Sequence, residues 1–208
     1  MMRILLLSLL LVSPALAQVH PRVSDFIPPD WEIESSLKAD LTGDSIPDEA
    51  LLLIEHMKDG TYKQRQVMVL KNRDTGYELI GSNTEAVLWA LDSDLGSVRF
   101  GDTEAIHLRV KNGCLILHQI DGDMSTSGSE DFTFRYDPLH NRMRLTEYVF
   151  DVGARFVGDR ETSKNYVTGI RIDRNTTWNN DEEKKLKPKK RKIPKRTIWM
   201  ENAKSDYE

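Results

Sequence analysis

Cysteine is almost absent from this chain, because Cys114 is the only one among its 208 residues. No internal disulfide can form, which excludes the small disulfide-stapled scaffolds found among secreted proteins. Aromatic residues are also few, at 8% of the sequence. The length nevertheless suits one domain with a hydrophobic core, and we expect the stability to come from that core.

Long hydrophobic runs are missing except at the N-terminus, where residues 1–17 have the pattern of a secretory signal peptide. Arg3 supplies the positive start, Leu5 to Val12 the apolar segment, and Ala15-Leu-Ala17 the cleavage site. The apolar segment is too short to span a bilayer and Pro14 follows it, so we expect no transmembrane segment. Since no cysteine lies near the cleavage site, we expect no lipid anchor either. The sequence thus predicts a periplasmic or secreted protein.

Recognisable catalytic arrangements are lacking as well. The stretch Ser127-Gly-Ser129 is not part of a G-x-S-x-G nucleophile elbow, and nothing beside Cys114 in the sequence would activate its thiol. His56 and His140 cannot be placed next to a serine from the sequence alone. We predict that the protein is not an enzyme. An unrecognised hydrolase is the alternative, and its residues would have to converge in the fold.

The charge is unevenly distributed along the chain. Residues 184–196 carry nine Lys or Arg and no acid, whereas residues 18–180 hold 18 basic and 27 acidic groups, a net charge of −9. Apolar periodicity is lost from Asn175 onward, so we predict a disordered, flexible basic tail over residues 176–208. Such a tail can contact an anionic surface by charge attraction. The alternative is a tail that folds back on the acidic body. We do not expect an exported acidic domain to bind nucleic acid.

Short apolar or alternating runs separated by Gly, Asn and Asp predict an all-β fold over residues 31–175, after an extended, proline-containing lead-in over residues 18–30. We expect a single antiparallel domain, either a β-meander or sandwich-like. Ser82–Leu91 is ambiguous between a short helix, a loop and a strand. The predicted strands are Trp31–Leu37, Ala50–Glu55, Gln66–Lys71, Tyr77–Ile80, Val98–Phe100, Ile106–Lys111, Cys114–Gln119, Phe132–Tyr136, Arg142–Phe150 and Tyr166–Arg171.

Two hairpins can be predicted in detail. Asn112-Gly113 is the preferred dipeptide of a two-residue type I′ turn, which places His107 opposite His118. A second turn falls at Asp137–Asn141, and the apolar residues of its return strand change phase. A β-bulge near Thr146 would explain that change.

The loop Asp40–Asp48 repeats carboxylates every four residues directly before an apolar run. This spacing lets one tight loop turn several oxygens onto a cation such as Ca²⁺. Position twelve is Leu51 rather than the bidentate Glu of an EF-hand, so an EF-hand is excluded. The alternative is an Asp-rich turn held by side-chain-to-backbone hydrogen bonds. The predicted ligands are the side chains of Asp40, Thr42, Asp44 and Asp48 and the carbonyl of Ile46.

This loop resembles the calcium loop of FG-GAP and VCBS-type repeats, with Thr42 in place of a stronger ligand and Ser45 in place of a glycine. The segments 26–33, 132–136 and 160–169 are similar to a family of exported bacterial proteins that carry one such loop. The resemblance implies a β-rich single domain and no particular activity. We expect weak, structural calcium binding in an envelope-associated or binding module whose partner is an unknown protein or envelope component.

Other features have both a functional and a plainer interpretation. His107 and His118 could chelate zinc or copper, but a solvated pair is favoured because no third ligand is evident. A mobile Ser127-Gly128 loop would suit an inhibitor of lysozyme or another envelope hydrolase. Two charged groups could bind ions but are better explained as solvated surface: the acids Asp121, Asp123, Glu130 and Asp131, and the arginines Arg135, Arg142, Arg144 and Arg160.

Overall fold

The computed structural model describes residues 19–56, 62–87, 90–91, 106–122, 126–154, 158–179 and 182–205. Within these ranges the chain is all-β and antiparallel, with two short 3₁₀ turns at Val23–Phe26 and Met200–Asn202 and no α-helix. The predicted fold class is therefore confirmed. The strands are β1 (Val19–His20), β2 (Trp31–Ala39), β3 (Asp48–Glu55), β4 (Tyr62–Lys63), β5 (Arg65–Arg73), β6 (Gly76–Asn83), β7 (Ala90–Leu91), β8 (Ile106–Lys111), β9 (Cys114–Gly122), β10 (Thr126–Asp137), β11 (Arg142–Ala154), β12 (Gly158–Asn165), β13 (Ile170–Asn179), β14 (Glu182–Lys185), β15 (Lys189–Lys192) and β16 (Ile198–Trp199).

Two sheets account for most of these strands. The front sheet has the order β1-β6-β5-β3-β2. The back sheet has the order β14-β13-β12-β11-β10-β9-β8, with β15 paired to β13 and β16 paired to β11. Strands β4 and β7 form a separate two-stranded pair. Because most neighbours in each sheet are also neighbours in sequence, short turns are enough to connect them.

The main core lies between the two sheets. Ala50, Leu52, Val67 and Val69 of the front sheet form one buried cluster with back-sheet residues that include Leu117, Phe132, Phe134 and Tyr148. These side chains recur at every second position, as the pleat of a strand requires. This two-layer arrangement is that of a β-sandwich.

The central strand β3 is apolar on both faces. Leu51 and Leu53 point away from the main core and form a second buried cluster with Met68 and Leu70. The lead-in predicted over residues 18–30 covers this cluster, since Val23, Phe26 and Ile27 pack against it. A strand that is buried on both faces reads as a continuous apolar run, which explains the sequence Ala-Leu-Leu-Leu-Ile.

Both predicted hairpins are confirmed. Asn112 and Gly113 adopt positive φ angles of 53° and 69°, and the register pairs His107 with His118. In the β10–β11 hairpin Thr133 pairs with Glu147 and Phe134 with Leu145, so Thr146 is the extra residue of a bulge. Its hydroxyl donates to the carbonyl of Thr133 at 3.0 Å.

Other local predictions differ from the structure. Only the last two residues of the predicted strand Tyr166–Arg171 are in a strand: residues 166–169 form the turn between β12 and β13, which begins at Ile170. Strand β10 begins at Thr126, so residues 126–129 are not part of the flexible loop that the Ser and Gly residues of 125–129 suggested. Ser82–Leu91 contains the end of β6 and the strand β7. The predicted signal peptide and the predicted strand Val98–Phe100 lie outside the described residues.

The prediction of a disordered C-terminal tail is wrong for residues 182–205. Strands β14 and β15 extend the edge of β13, and β16 pairs with β11. Met200 is fully buried in the main core, where Gly81 leaves the space that its sulfur fills. Asn83 donates from its side chain to the carbonyls of Met200 and Ala203. Few apolar residues are needed here because the tail adds to a sheet edge that already exists.

Among the described residues, no helix has the length and apolar character needed to cross a bilayer.

Candidate functional site

The aspartate loop connects β2 to β3, and its last carboxylate is an internal anchor. Asp48 has no exposed surface. Its Oδ2 accepts hydrogen bonds from the amides of Leu41 and Thr42, both at 3.0 Å, and its Oδ1 accepts one from the amide of Asn72, also at 3.0 Å. Three backbone donors therefore satisfy the acceptor oxygens of this buried carboxylate and fasten the loop to β5.

The other two loop carboxylates also accept backbone hydrogen bonds. Asp40 accepts from the amides of Gly43 at 2.6 Å and Ser45 at 3.0 Å. Asp44 accepts from the amide of Ile46 at 3.0 Å. That hydrogen bond is the largest influence on Asp44 and, together with the nearby Lys71 ammonium, holds the pKa of this carboxyl below its usual value in spite of partial burial.

Two residues of the loop adopt the left-handed backbone conformation. Gly43 and Ser45 have φ angles of 80° and 68°, in the left-handed region. Glycine adopts this region without steric cost, but serine does not. Ser45 therefore stands at a position of mild backbone strain, where the repeats that this loop resembles have glycine.

The contacts of the loop bear on its two interpretations, a calcium site and an Asp-rich turn. Among the residues that the structure describes, no three His, Cys, Asp or Glu side chains are grouped closely enough to hold a metal ion. All five predicted ligands lie in one loop, and the three carboxylates among them already accept hydrogen bonds from backbone amides. The five are Asp40, Thr42, Asp44, Ile46 and Asp48. This geometry is that of an Asp-rich turn. Calcium binding stays a prediction.

A second candidate site is the basic ribbon, which we define as the exposed cationic side chains of β14, β15 and the link between them. β15 pairs with the first part of β13 and β14 with its last part, so the two strands lie one after the other along the same edge. Lysines on an edge strand also prevent pairing with other chains. The ribbon consists of Lys184, Lys185, Lys187, Lys189, Lys190, Arg191 and Lys192.

Among the described residues, one acid forms an ion pair with the ribbon. Asp173 on β13 lies 3.5 Å from Arg191 and is already held by Arg171 at 2.7 Å. Among the ion pairs between described residues, none involves the ribbon lysines. The sequence revealed these charges but not their geometry, because a run of lysines carries no strand signal.

The histidine pair lies on the outer face of the back sheet. The rings of His107 and His118 are 4.6 Å apart, and His118 Nδ1 lies 2.7 Å from Asp131 Oδ1. The other oxygen of Asp131 accepts from Arg109 at 2.7 Å. Asp131 is therefore part of a charged surface cluster on a strand, rather than of a solvated loop.

Its neighbour Glu130 belongs to a buried network that the sequence did not indicate. It is 3% exposed and accepts from Gln119 at 2.7 Å and from the hydroxyls of Tyr148 and Ser205. These partners come from β9, β11 and the C-terminal segment. Glu130 therefore helps to hold the C-terminus and is not available as a surface cation ligand. Of the other acids of that group, Asp123 lies outside the described residues and Asp121 is in β9.

The arginines of the second hairpin do not form an open anion-binding strip. Arg142 contacts Glu201 and lies 4.9 Å above the ring of Trp199. Arg144 is 3.8 Å from Asp137, while Arg135 is exposed and Arg160 is in β12.

No nucleophile stands out among the residues considered from the sequence. Burial raises the pKa of the Cys114 thiol, in spite of the nearby Arg135 charge. Residues 127 and 128 pair with both β9 and β11. The mobile Ser-Gly loop on which the inhibitor hypothesis depended is thus absent from the described β10 strand.

Comparison of the chain with models of protein families, with curated proteins and with solved structures finds no match. The function must therefore be inferred from the geometry of the chain itself.

Proposed function

We propose that this protein is an exported, non-enzymatic β-domain that attaches to an anionic, phosphate-bearing lipid surface of the cell envelope through its basic ribbon. The observation that supports the proposal is the fixed placement of seven exposed cations along one sheet edge. An ordered ribbon presents its charges together, without the entropic cost of ordering a flexible tail on binding.

The expected strength of membrane binding follows from the charge of the basic ribbon. Each Lys or Arg close to an anionic membrane contributes about 1 kcal/mol, and the contribution falls off within a Debye length. The acidic remainder, with its net charge of −9 over residues 18–180, is repelled by the same surface. The protein should therefore bind edge-on by its ribbon, and the binding should weaken steeply with salt.

Vesicle binding tests the proposal. The chain without residues 1–17 should cosediment with phosphatidylglycerol vesicles at 50 mM salt and not with phosphatidylcholine vesicles. The double variant Lys189→Gln/Lys190→Gln should bind about 30-fold more weakly, the equivalent of two cations. The matched control Lys38→Gln/Lys111→Gln removes two exposed lysines elsewhere and should retain binding. Equal losses in both double variants, or no binding to the anionic vesicles, would overturn the proposal.

The aspartate loop completes the proposed function as a structural brace of the calcium type. Its carboxylates would repel one another less once a cation is bound, so calcium should stabilise the folded state through linkage. The melting temperature measured with millimolar calcium should exceed that measured with a chelator. An unchanged melting temperature would contradict calcium binding by the loop and would leave the proposed membrane attachment by the ribbon unaffected.

A further inference from the structure

A pocket of about 430 Å³ lies where the C-terminal segment crosses the inner side of β11, β12 and β13. Four cationic residues, Lys164, Arg171, Arg196 and Lys204, contribute to its lining, and no acidic residue does. None of these four belongs to the basic ribbon. The pocket exists only because the C-terminal segment is folded onto the sheet.

The cations differ in how firmly they are held. Arg171 is fixed by Asp173, which accepts from its Nε at 2.8 Å. Lys204 lies 3.3 Å from Glu85, but both side chains are well exposed, so this pair is weak. Lys164 lies over the ring of Tyr148 at 5.6 Å from its centroid.

Arg196 is the cation with most freedom to meet a ligand. Its backbone amide donates to the carbonyl of Tyr166, which fixes the residue at the pocket. The side chain is exposed and forms no ion pair with a residue in the described part of the chain. The guanidinium fork matches the oxygens of a carboxylate or phosphate group.

The accessible surface of the pocket is mixed polar and apolar, and its accessible apolar side chains are those of Ile193, Pro194 and Ile198. Leu145 is 3% exposed and Ala203 is 1% exposed, and Ile198 packs against the main core beside them. The volume of the pocket and its few convergent polar groups fit a small-molecule site.

We propose that this pocket binds a small amphiphilic anion, with its carboxylate or phosphate group at Arg196 and Lys164 and its apolar part against Ile193 and Ile198. The inference goes beyond the proposed function and does not depend on it, because it concerns a monomeric ligand and different cations.

Calorimetry with the chain lacking residues 1–17 tests the proposal, with decyl phosphate as the probe below its critical micelle concentration. Decyl phosphate and decanoate should both bind with one-to-one stoichiometry, since they share the required chemistry. Decanol, which lacks the charge, and inorganic phosphate, which lacks the chain, should each bind at least tenfold more weakly. Equal affinities for decyl phosphate and decanol would overturn the assignment of the cations.

Variants locate the site. Arg196→Gln and Lys164→Gln should each weaken decyl phosphate binding about fivefold, since each removes one partly solvated charge contact. Ile198→Ala should weaken decyl phosphate binding and leave inorganic phosphate unaffected. The matched control Lys190→Gln, in the ribbon, should bind decyl phosphate like the unaltered chain. If Lys190→Gln reduces the affinity as much as Arg196→Gln, the attraction is a general charge effect and the pocket proposal is wrong.

The two proposals can fail separately. Loss of vesicle binding in the ribbon variant together with normal binding of decyl phosphate would support both. Vesicle binding without any binding of decyl phosphate would support membrane attachment by the ribbon and would refute the proposal that the pocket binds an amphiphilic anion.

Discussion

Replacing Asp48 by asparagine tests how the aspartate loop is held. The buried carboxylate accepts the amides of Leu41, Thr42 and Asn72. Asparagine keeps one acceptor oxygen and adds an NH₂ group. In one orientation that group faces the amide of Asn72, and in the other it faces the amides of Leu41 and Thr42. At least one buried N–H therefore loses its acceptor and meets another donor.

The expected loss in the free energy of unfolding follows from these hydrogen bonds. A hydrogen bond to a charged group contributes about 1.5–3 kcal/mol, and a buried donor without an acceptor costs about 1–3 kcal/mol. We expect Asp48→Asn to lower the free energy of unfolding by about 2–4 kcal/mol, and Asp48→Ala, which leaves three orphaned donors, by more. Domains of this kind have about 5–15 kcal/mol in total, so the loss is a large fraction of the stability.

Urea denaturation at pH 7 in the presence of a chelator measures this loss without any contribution from metal. Amide hydrogen exchange at Leu41, Thr42 and Asn72 should accelerate in the same variant. The matched control is Asp44→Asn, where a partly exposed carboxylate accepts one backbone amide, and a loss below about 1 kcal/mol is expected. A loss in Asp48→Asn no larger than in the control would refute the assignment of Asp48 as the anchor.

Three further predictions follow from particular residues. Ser45→Gly should raise the free energy of unfolding by about 0.5–1 kcal/mol in urea denaturation, because glycine relieves the left-handed strain, and no gain would contradict the strain argument. Burial and the nearby carboxylates of Asp159 and Glu161 raise the pKa of Asp151, so its folded-state pKa lies above the unfolded value of about 3.9. Stability is therefore lost as the pH rises from the unfolded-state pKa through the folded-state pKa. Asp151→Asn should therefore raise the melting temperature at pH 7 but not at pH 3, and an equal change at both pH values would show a different cause. Met200→Ala should lower the free energy of unfolding by about 2–5 kcal/mol, the cost of emptying a core position, whereas a disordered tail would show no loss.

Local signals in the sequence were enough for the hairpins and their registers. Asn112-Gly113 can supply two positive φ angles in a row, and this requirement fixes the turn and the pairing of every residue outward from it. The phase change after Leu145 indicated the bulge at Thr146 for a similar reason: inward residues must keep a period of two, and one extra residue restores the match. These features depend on contacts between strands that are adjacent in sequence.

The tertiary structure alone decided the state of the C-terminal segment. Residues 184–196 are polar and basic, so their sequence predicts disorder, but backbone pairing with β13 does not depend on side-chain hydrophobicity, and the buried Met200 secures the segment to the core. The same folding creates the ribbon and the pocket, since Arg196 and Lys164 line one pocket only when the segment lies on the sheet. The aspartate loop was visible in the sequence, but the fold decided that backbone amides surround Asp48. Residues distant in sequence leave no local pattern, and only the packed fold brings them together.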